Sequence, residues 1–327
     1  MFDVAIIGLG AAGYTAAIYA ARYKLSTLLV GEEEGGMGIT AAEVGNWPGD
    51  IAMTGPELME RMKKHALSFT EVTMKQGRVS KVERLGGKGS KEGKEGKEGK
   101  EGGFRLTFGD GKVEEAKTVI FATGSNKRHL NVPGEKEFAG RGVSYCATCD
   151  AFFFKGKTVA VVGGGDAAVE GAAILSQVVK KLYMIHRRSE FRAEPYWVNK
   201  CKEKSNVVFV LGRQVKEIKG DHGSTPLTTG KVTGLVLDQP FEGSDQLTVD
   251  GVFVEIGATP AVELPQALGC ALDECGYLKV DASMQTSVPG AFAAGDVSGG
   301  SNHFAQFVTA AGEGAVAVFG VFSFLQG

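Results

Sequence analysis

Cys146 and Cys149 carry the most reactive chemistry in this chain. They lie in Tyr145-Cys146-Ala147-Thr148-Cys149-Asp150. At this spacing two sulfurs can close a small redox-active disulfide, and the neighbouring Asp150 can supply or take the proton of a departing thiolate. A structural zinc site is the alternative use of such a pair, and it needs a second pair of ligands. Cys201 stands alone, while Cys270 and Cys275 have no histidine at ligand spacing. These three read as small buried apolar residues, and no metal is expected.

Two glycine loops supply a different chemistry. In Gly8-x-Gly10-x-x-Gly13 the first glycine makes a turn, the second lets a pyrophosphate reach the backbone, and the third packs a helix on a strand. Free N–H groups at the helix start then meet the phosphates. An acid at the end of the next strand, Glu32 or Glu33, suits ribose hydroxyls, and we take Glu33 as the site residue. In the second loop, Gly163-x-Gly165-x-x-Ala168, the next strand ends in His186-Arg187-Arg188, with Arg192 four residues on. Arginine forks pair with phosphate, and an acid there would repel it. The reading is an adenosine with a 2′-phosphate, hence NADPH. The alternative is a surface arginine cluster in ordinary ion pairs. One site of each kind points to a flavin plus a nicotinamide, with hydride passing from NADPH to FAD. Gly295-Asp296, after an apolar run, offers a carboxylate to the ribityl chain, although Asp after Gly is also a common turn former.

These residues need strands and helices to hold them. Phe2–Ile7 reads as a strand, Ala16–Arg22 as a helix and Thr27–Val30 as a second strand. The same order recurs in Thr158–Val162, Ala167–Gln177 and Lys181–Ile185. This is the βαβ unit of a doubly wound sheet. Its two openings lie about 155 residues apart, too far to share one mononucleotide fold, so two nucleotide-binding domains are expected. Val79–Leu85 and Phe104–Phe108 alternate like hairpin arms. Thr118–Thr123 and the run from Gly290 to Asp296 read as further strands with glycine turns. The last helix starts near Gln306 or Thr309.

Composition narrows the class. The chain has 327 residues, 36 Lys+Arg against 38 Asp+Glu, and a formal charge of −2. That balance removes the electrostatic case for nucleic-acid or polybasic membrane binding. Glycine is abundant at 48 residues, as tight turns near a ligand require. Four Lys-Glu-Gly triplets between Lys91 and Gly102 read as a solvated, disordered loop over 86–103. Val4–Ala21 is long enough to span a membrane, but its three glycines favour strand, turn and helix. The apolar tail Ala315–Leu325 is too short to span. Met1-Phe2-Asp3 lacks the basic start of a signal peptide, so the expected location is the cytoplasm.

The order G-x-G-x-x-G, C-A-T-C-D, G-G-G-D-x-A-V-E, H-R-R-x-x-F-R-A, G-x-F-A-A-G-D-V resembles the low-molecular-weight thioredoxin reductases over nearly the whole chain. The resemblance implies an α/β fold with two Rossmann-like doubly wound domains. A discontinuous FAD domain would span 1–125 and 256–327, and an inserted NADPH domain would span 126–255 and carry the disulfide. It implies a homodimer that passes electrons from NADPH through FAD and Cys146–Cys149 to thioredoxin. Cys149 matches the cysteine beside the flavin, Cys146 the outer cysteine that attacks thioredoxin, and Asp150 the general acid. Arg187, Arg188 and Arg192 match the phosphate binders, while Asn46, Asp296 and Gln306 match flavin contacts. In such enzymes the central domain rotates, and Gly124 and the Gly257 region are plausible crossing points. The chain departs from the usual pattern at Met37–Ala42, at Ser298–Ala305, at Ser189 and at Ala151. A second reading keeps the fold and changes the acceptor, to a glutaredoxin-like or peroxidase-associated protein, or changes the donor. A third is a non-catalytic redox sensor.

Overall fold

The computed structural model describes residues 1–41, 44–86, 102–221 and 230–327. Residues 87–101 of the Lys-Glu-Gly loop, and Ala42, lie outside the described residues. The chain forms two compact units, Met1–Asn126 with Pro260–Gly327, and Lys127–Thr259.

The first unit opens with β1 (Phe2–Ile7), α1 (Ala11–Arg22), β2 (Thr27–Gly31), α2 (Gly55–Leu67), β3 (Val72–Gln76), β4 (Val79–Arg84), β5 (Phe104–Phe108) and β6 (Val113–Phe121). The sheet order is β3-β2-β1-β6-β5-β4. β1 pairs in parallel with both β2 and β6, and its buried stretch from Val4 to Ile7 is a continuous apolar run rather than an alternating one, as a strand covered on both faces requires. The expected hairpin is present as antiparallel β4 and β5. Thr54 starts α2 with a capping box: its hydroxyl accepts the Glu57 N–H, and the Glu57 carboxylate accepts the Thr54 N–H at 2.9 Å. That reciprocal pair satisfies two N–H groups that the helix itself cannot.

The chain leaves this unit in β7 (Ser125–Lys127). The second unit then runs through β8 (Val143–Ser144), α3 (Ala147–Asp150), β9 (Thr158–Gly163), α4 (Asp166–Leu175), β10 (Lys181–His186), α5 (Pro195–Lys202) and β11 (Val207–Leu211). It continues with β12 (Val215–Gly220), β13 (Val232–Phe241), β14 (Ser244–Thr248) and β15 (Gly251–Glu255). A parallel sheet of order β11-β10-β9-β15-β8 carries the glycine loop, and β12-β13-β14 form a separate antiparallel sheet.

The chain returns through β16 (Ala258–Pro260) and α6 (Glu263–Ala267), adds β17 (Ala291–Ala293) beside β6, and ends in α7 (Phe307–Gln326). Gly124 and Gly257, beside the two crossings, have φ of +67° and +95°, a region that side chains disfavour.

The last helix starts where expected, with Gln306 as its cap. The structure corrects the reading of the apolar tail: the run 315–325 belongs to a 20-residue helix, long and apolar enough by length and composition to cross a membrane. It packs along α1 with Ala311, Ala317, Val318 and Val321 buried. A side chain at Gly314 would collide with the Ala12 carbonyl, so this glycine permits the close crossing. Glu313, the one charged residue of α7, is buried at 8% exposure. One face of α7 is thus packed into this unit, while Val308, Val316 and Phe319 on the helix stay exposed.

Candidate active site

In the second unit Cys146 and Cys149 are joined as a disulfide, with Cα atoms 5.3 Å apart. The two sulfurs are therefore bonded to each other rather than spread around a metal. β8 leads directly into Cys146, which caps the single-turn helix α3, and the Cys149 N–H donates to Cys146 Sγ at 3.2 Å. Cys149 is exposed and Cys146 half-buried. Asp150 ends the same turn, its N–H donating to the Cys146 carbonyl at 3.2 Å. Phe152 and Phe153 follow, 77% and 71% exposed.

Two groups near this turn were not evident from sequence. Glu255, at the end of β15, accepts the Ala147 N–H at 3.3 Å, and burial raises its pKa against the opposing pull of Lys127. Its sequence signal is a lone acid closing an apolar strand. Tyr145 donates its hydroxyl to Glu135, a fully buried carboxylate that also accepts the N–H groups of Leu130 and Asn131. Burial and then the Glu135 charge push Tyr145 up to about 12, so it is a neutral hydrogen-bond donor at working pH.

The first glycine loop fits a dinucleotide. Gly8 has φ +133°, and side chains at Gly8 or Gly13 would collide with backbone carbonyls. Gly10, the cap of α1, meets nothing within 4 Å. The space beside the first helical N–H groups is thus open, as a pyrophosphate needs. Glu33 is exposed, with no side-chain partner among the described residues, whereas the neighbouring Glu34 pairs with Lys63 at 2.5 Å. Asn46 Nδ2 donates to Gln306 Oε1 at 2.9 Å, so two residues 260 positions apart meet. Gln306 also caps α7 in a box with Thr309. Asp296 is half-buried, and its pKa is raised by burial and then by Glu313, against a hydrogen bond with Ser125. Glu313 also went unnoticed in the sequence. Its carboxylate accepts the Gly295 N–H at 2.8 Å and the Ser298 hydroxyl at 2.7 Å, fastening the turn that presents Asp296.

The second loop repeats this geometry. Side chains at Gly163 or Gly164 would collide with the Glu255 carbonyl or the His186 ring, while Gly165 is open and caps α4. Asp166 is held aside by the Glu194 N–H at 2.7 Å. Arg187, Arg188 and Arg192 are exposed and, among the described residues, form no ion pair with a carboxylate. They act together on His186, whose pKa is lowered first by burial and then by all three charges, against a hydrogen bond to the Glu190 backbone. The ordinary-ion-pair alternative therefore loses its ground, and a cluster of unneutralised guanidinium groups fits a phosphate.

Among the lone cysteines, Cys201 and Cys270 are buried as expected, with burial pushing the Cys201 thiol up to about 11. Cys275 departs from the expectation: it is exposed. Asp273, Cys275 and His303 bring possible ligand atoms within 4.8 Å of one another, so a histidine distant in sequence does reach Cys275. Both Asp273 oxygens are already engaged. One accepts the N–H groups of Cys275 and Tyr277, and the other meets His303 Nε2 at 2.9 Å. We read the group as the fastening of an exposed turn.

The geometry defines a nucleotide-linked disulfide oxidoreductase, with two dinucleotide cradles and a vicinal disulfide. The family model described as pyridine nucleotide-disulphide oxidoreductase matches residues 2–314, and the chain belongs to this family. Thioredoxin reductase of Escherichia coli O157:H7 is 39% identical over 335 residues, covering 98% of this chain and 95% of that protein. A Pseudomonas fluorescens protein named glucosaminate ammonia-lyase is also 39% identical, covering 99% and 96%. The crystal structure of Lactococcus lactis thioredoxin reductase superposes with a TM-score of 0.87 at 34% identity, covering 100% and 99%.

Proposed function

We propose that this protein reduces the disulfide of thioredoxin with electrons from NADPH, relayed by FAD and the Cys146–Cys149 pair. The observation that carries the reading is the closed Cys146–Cys149 disulfide, set at the head of a nucleotide fold whose arginine cluster suits a 2′-phosphate. FAD, when bound, accepts hydride from NADPH and passes its two electrons to a disulfide. Gly8, Gly10 and Gly13 would admit its pyrophosphate and Glu33 its ribose, with Asn46, Asp296 and Gln306 on the flavin side. Gly163, Gly165, Arg187, Arg188 and Arg192 would hold NADPH. We accordingly assign the unit Met1–Asn126 with Pro260–Gly327 to FAD, and the unit Lys127–Thr259 to NADPH and the disulfide.

In the reduced state the Cys146 thiolate attacks one sulfur of the acceptor disulfide, breaking that bond and forming a mixed disulfide. The Cys149 thiolate then attacks Cys146 Sγ. This restores the internal bond and releases the acceptor as a dithiol, with Asp150 giving the proton to a departing sulfur. The Cys149 N–H, 3.2 Å from Cys146 Sγ, stabilises negative charge on that sulfur. The exposed rings of Phe152 and Phe153 suit a protein acceptor, since free apolar surface beside a reactive pair favours macromolecular docking. The exposed apolar groups Tyr19, Val308, Val316 and Phe319 on α1 and α7 support a homodimer, and the expected location is the cytoplasm.

The test is NADPH oxidation by the flavin-loaded protein with thioredoxin, with NADH and reduced ferredoxin as competing donors. Turnover should require thioredoxin and NADPH and should vanish in Cys149→Ser. Thioredoxin reduction retained in that variant would reject the electron path. Flux only with another donor or acceptor would favour the second reading.

A further inference from the structure

Glu255 and Lys127 bracket the reactive cysteine from both sides along the backbone. β15 pairs in parallel with β8, which leads into Cys146, and with β9, which leads into the second glycine loop. The register sets Val252 opposite Val143 and Glu255 opposite Gly163. Strand pairing therefore delivers one carboxylate to the carboxyl edge of the sheet, between the disulfide turn and the loop. That side chain is only 8% exposed. Its Oε1 accepts the N–H of Ala147, the residue after Cys146, at 3.3 Å. Its Oε2 lies 3.6 Å from Nζ of Lys127, which is 21% exposed and donates to the carbonyl of Tyr145, the residue before Cys146. Acid and base thus grip the peptide groups flanking Cys146 while facing each other.

A charge so buried is costly unless it is paired and hydrogen-bonded, and here each partner is both. Both side chains are largely buried, at 8% and 21% exposure, so their charges act on the nearby turn with less screening than surface groups would. Reduction breaks the Cys146–Cys149 bond, takes up two electrons from NADPH by way of FAD, and leaves two sulfurs that bind one or two protons. A carboxylate beside a sulfur left as thiolate opposes that charge, and an ammonium favours it.

We propose that Glu255 and Lys127 are positioning residues that hold the Cys146 turn and set the reduction potential of the disulfide in opposite directions, Glu255 making the dithiol more reducing and Lys127 less. This rests on the reading that the Cys146–Cys149 disulfide cycles during turnover. The pair is confined to this unit and is independent of which protein accepts the electrons.

The experiment equilibrates flavin-loaded protein at pH 8.0 in thiol–disulfide buffers of graded ratio, followed by alkylation and mass measurement of the Cys146–Cys149 state. Glu255→Gln keeps an oxygen for the Ala147 N–H and removes the charge. It should shift the equilibrium about tenfold toward the dithiol, a rise of about 30 mV. Lys127→Met should shift it several-fold the other way, and the double variant should fall between the two. Shifts of the same sign, or shifts below about threefold in both single variants, would overturn the assignment, because a merely structural role has no reason to give opposite signs. Should Glu255→Gln fail to fold, Lys127→Met decides alone, and a rise or no change sinks the proposal. A wild-type disulfide that thiol buffers reduce but NADPH does not would count against the redox reading instead, and is seen without any variant.

Discussion

At the first glycine loop the following strand runs out into acids, Glu32 to Glu34; at the second it runs out into Arg187 and Arg188. The backbones of the two loops are nearly the same device. Each has a positive-φ glycine that a side chain would jam against a carbonyl, and an open glycine capping a buried helix. What differs is charge at a single strand end. The pyrophosphate is read by backbone N–H groups common to both loops, and the rest of the nucleotide by a few side chains that backbone geometry does not constrain.

The largest expected effects come from filling the two open positions. Gly10 and Gly165 both have extended backbone, so valine is tolerated there and its side chain enters the phosphate space. Gly10→Val should yield colourless protein, measured by the ratio of flavin to protein absorbance. Gly165→Val should keep its flavin and raise KM for NADPH by about 100-fold or more, roughly 2.7 kcal/mol of binding. Flavin retained in Gly10→Val, or lost in Gly165→Val, would break the assignment of loops to cofactors.

A smaller effect should separate the strand ends. Replacing Arg187, Arg188 and Arg192 together by alanine should lower the preference for NADPH over NADH by about 100-fold, since each charge-assisted contact to phosphate contributes on the order of 1.5–3 kcal/mol and the three are not additive. The flavin content should not change. The kcat/KM values for both nucleotides supply the measurement, and an unaltered ratio would return the cluster to an ordinary solvated surface.

At the acidic end, Glu33→Ala should weaken FAD retention by about three- to tenfold, the loss of one or two exposed hydrogen bonds. Flavin release on dialysis measures it. Glu32→Ala is the matched control, because both acids are exposed beyond β2. A larger loss in the control would move the ribose contact by one residue.

Much of this arrangement was legible in the chain because its determinants are local. A glycine loop, its strand and its helix occupy about 30 residues, and the disulfide turn occupies four, so short-range spacing suffices. The strands were legible because buried parallel strands are continuous apolar runs. Glu255 and Glu313 were not. Their meaning depends on which distant backbone N–H each reaches, Ala147 across 108 residues and Gly295 across 18, and that is decided by strand register for Glu255 and by the packing of α7 for Glu313. The start of α7 was legible, but the apolar run 315–325 was not joined to it. Glycines at 312, 314 and 320 lower its helix propensity, while packing on α1 overrides that. Asn46 and Gln306 entered through resemblance, and nothing local would have paired them.

The smallest expected effect concerns His186, which has no counterpart at the first loop. Its ring is buried against Gly164 and stacks on Phe191 with centroids 5.6 Å apart, and its Nε2 has no hydrogen-bond partner. Burial, followed by the three arginine charges, lowers its pKa below the ordinary 6.5. The folded protein therefore binds this proton less readily than the unfolded chain does. As pH falls through about 6.5 the unfolded chain takes up the proton first, and stability is lost until the folded-state pKa is passed. In protein without NADPH, melting temperature should fall between pH 7 and pH 5.5 by a degree or two more than in His186→Asn, the scale of a fraction of a kcal/mol in a chain this size. Saturating NADP⁺ should shrink the difference, because a phosphate among the arginines offsets the charge that disfavours the imidazolium. Parallel melting curves for the two proteins across that range would mean that the arginines do not act on the ring, and the second strand end would then differ from the first by less than its charges imply.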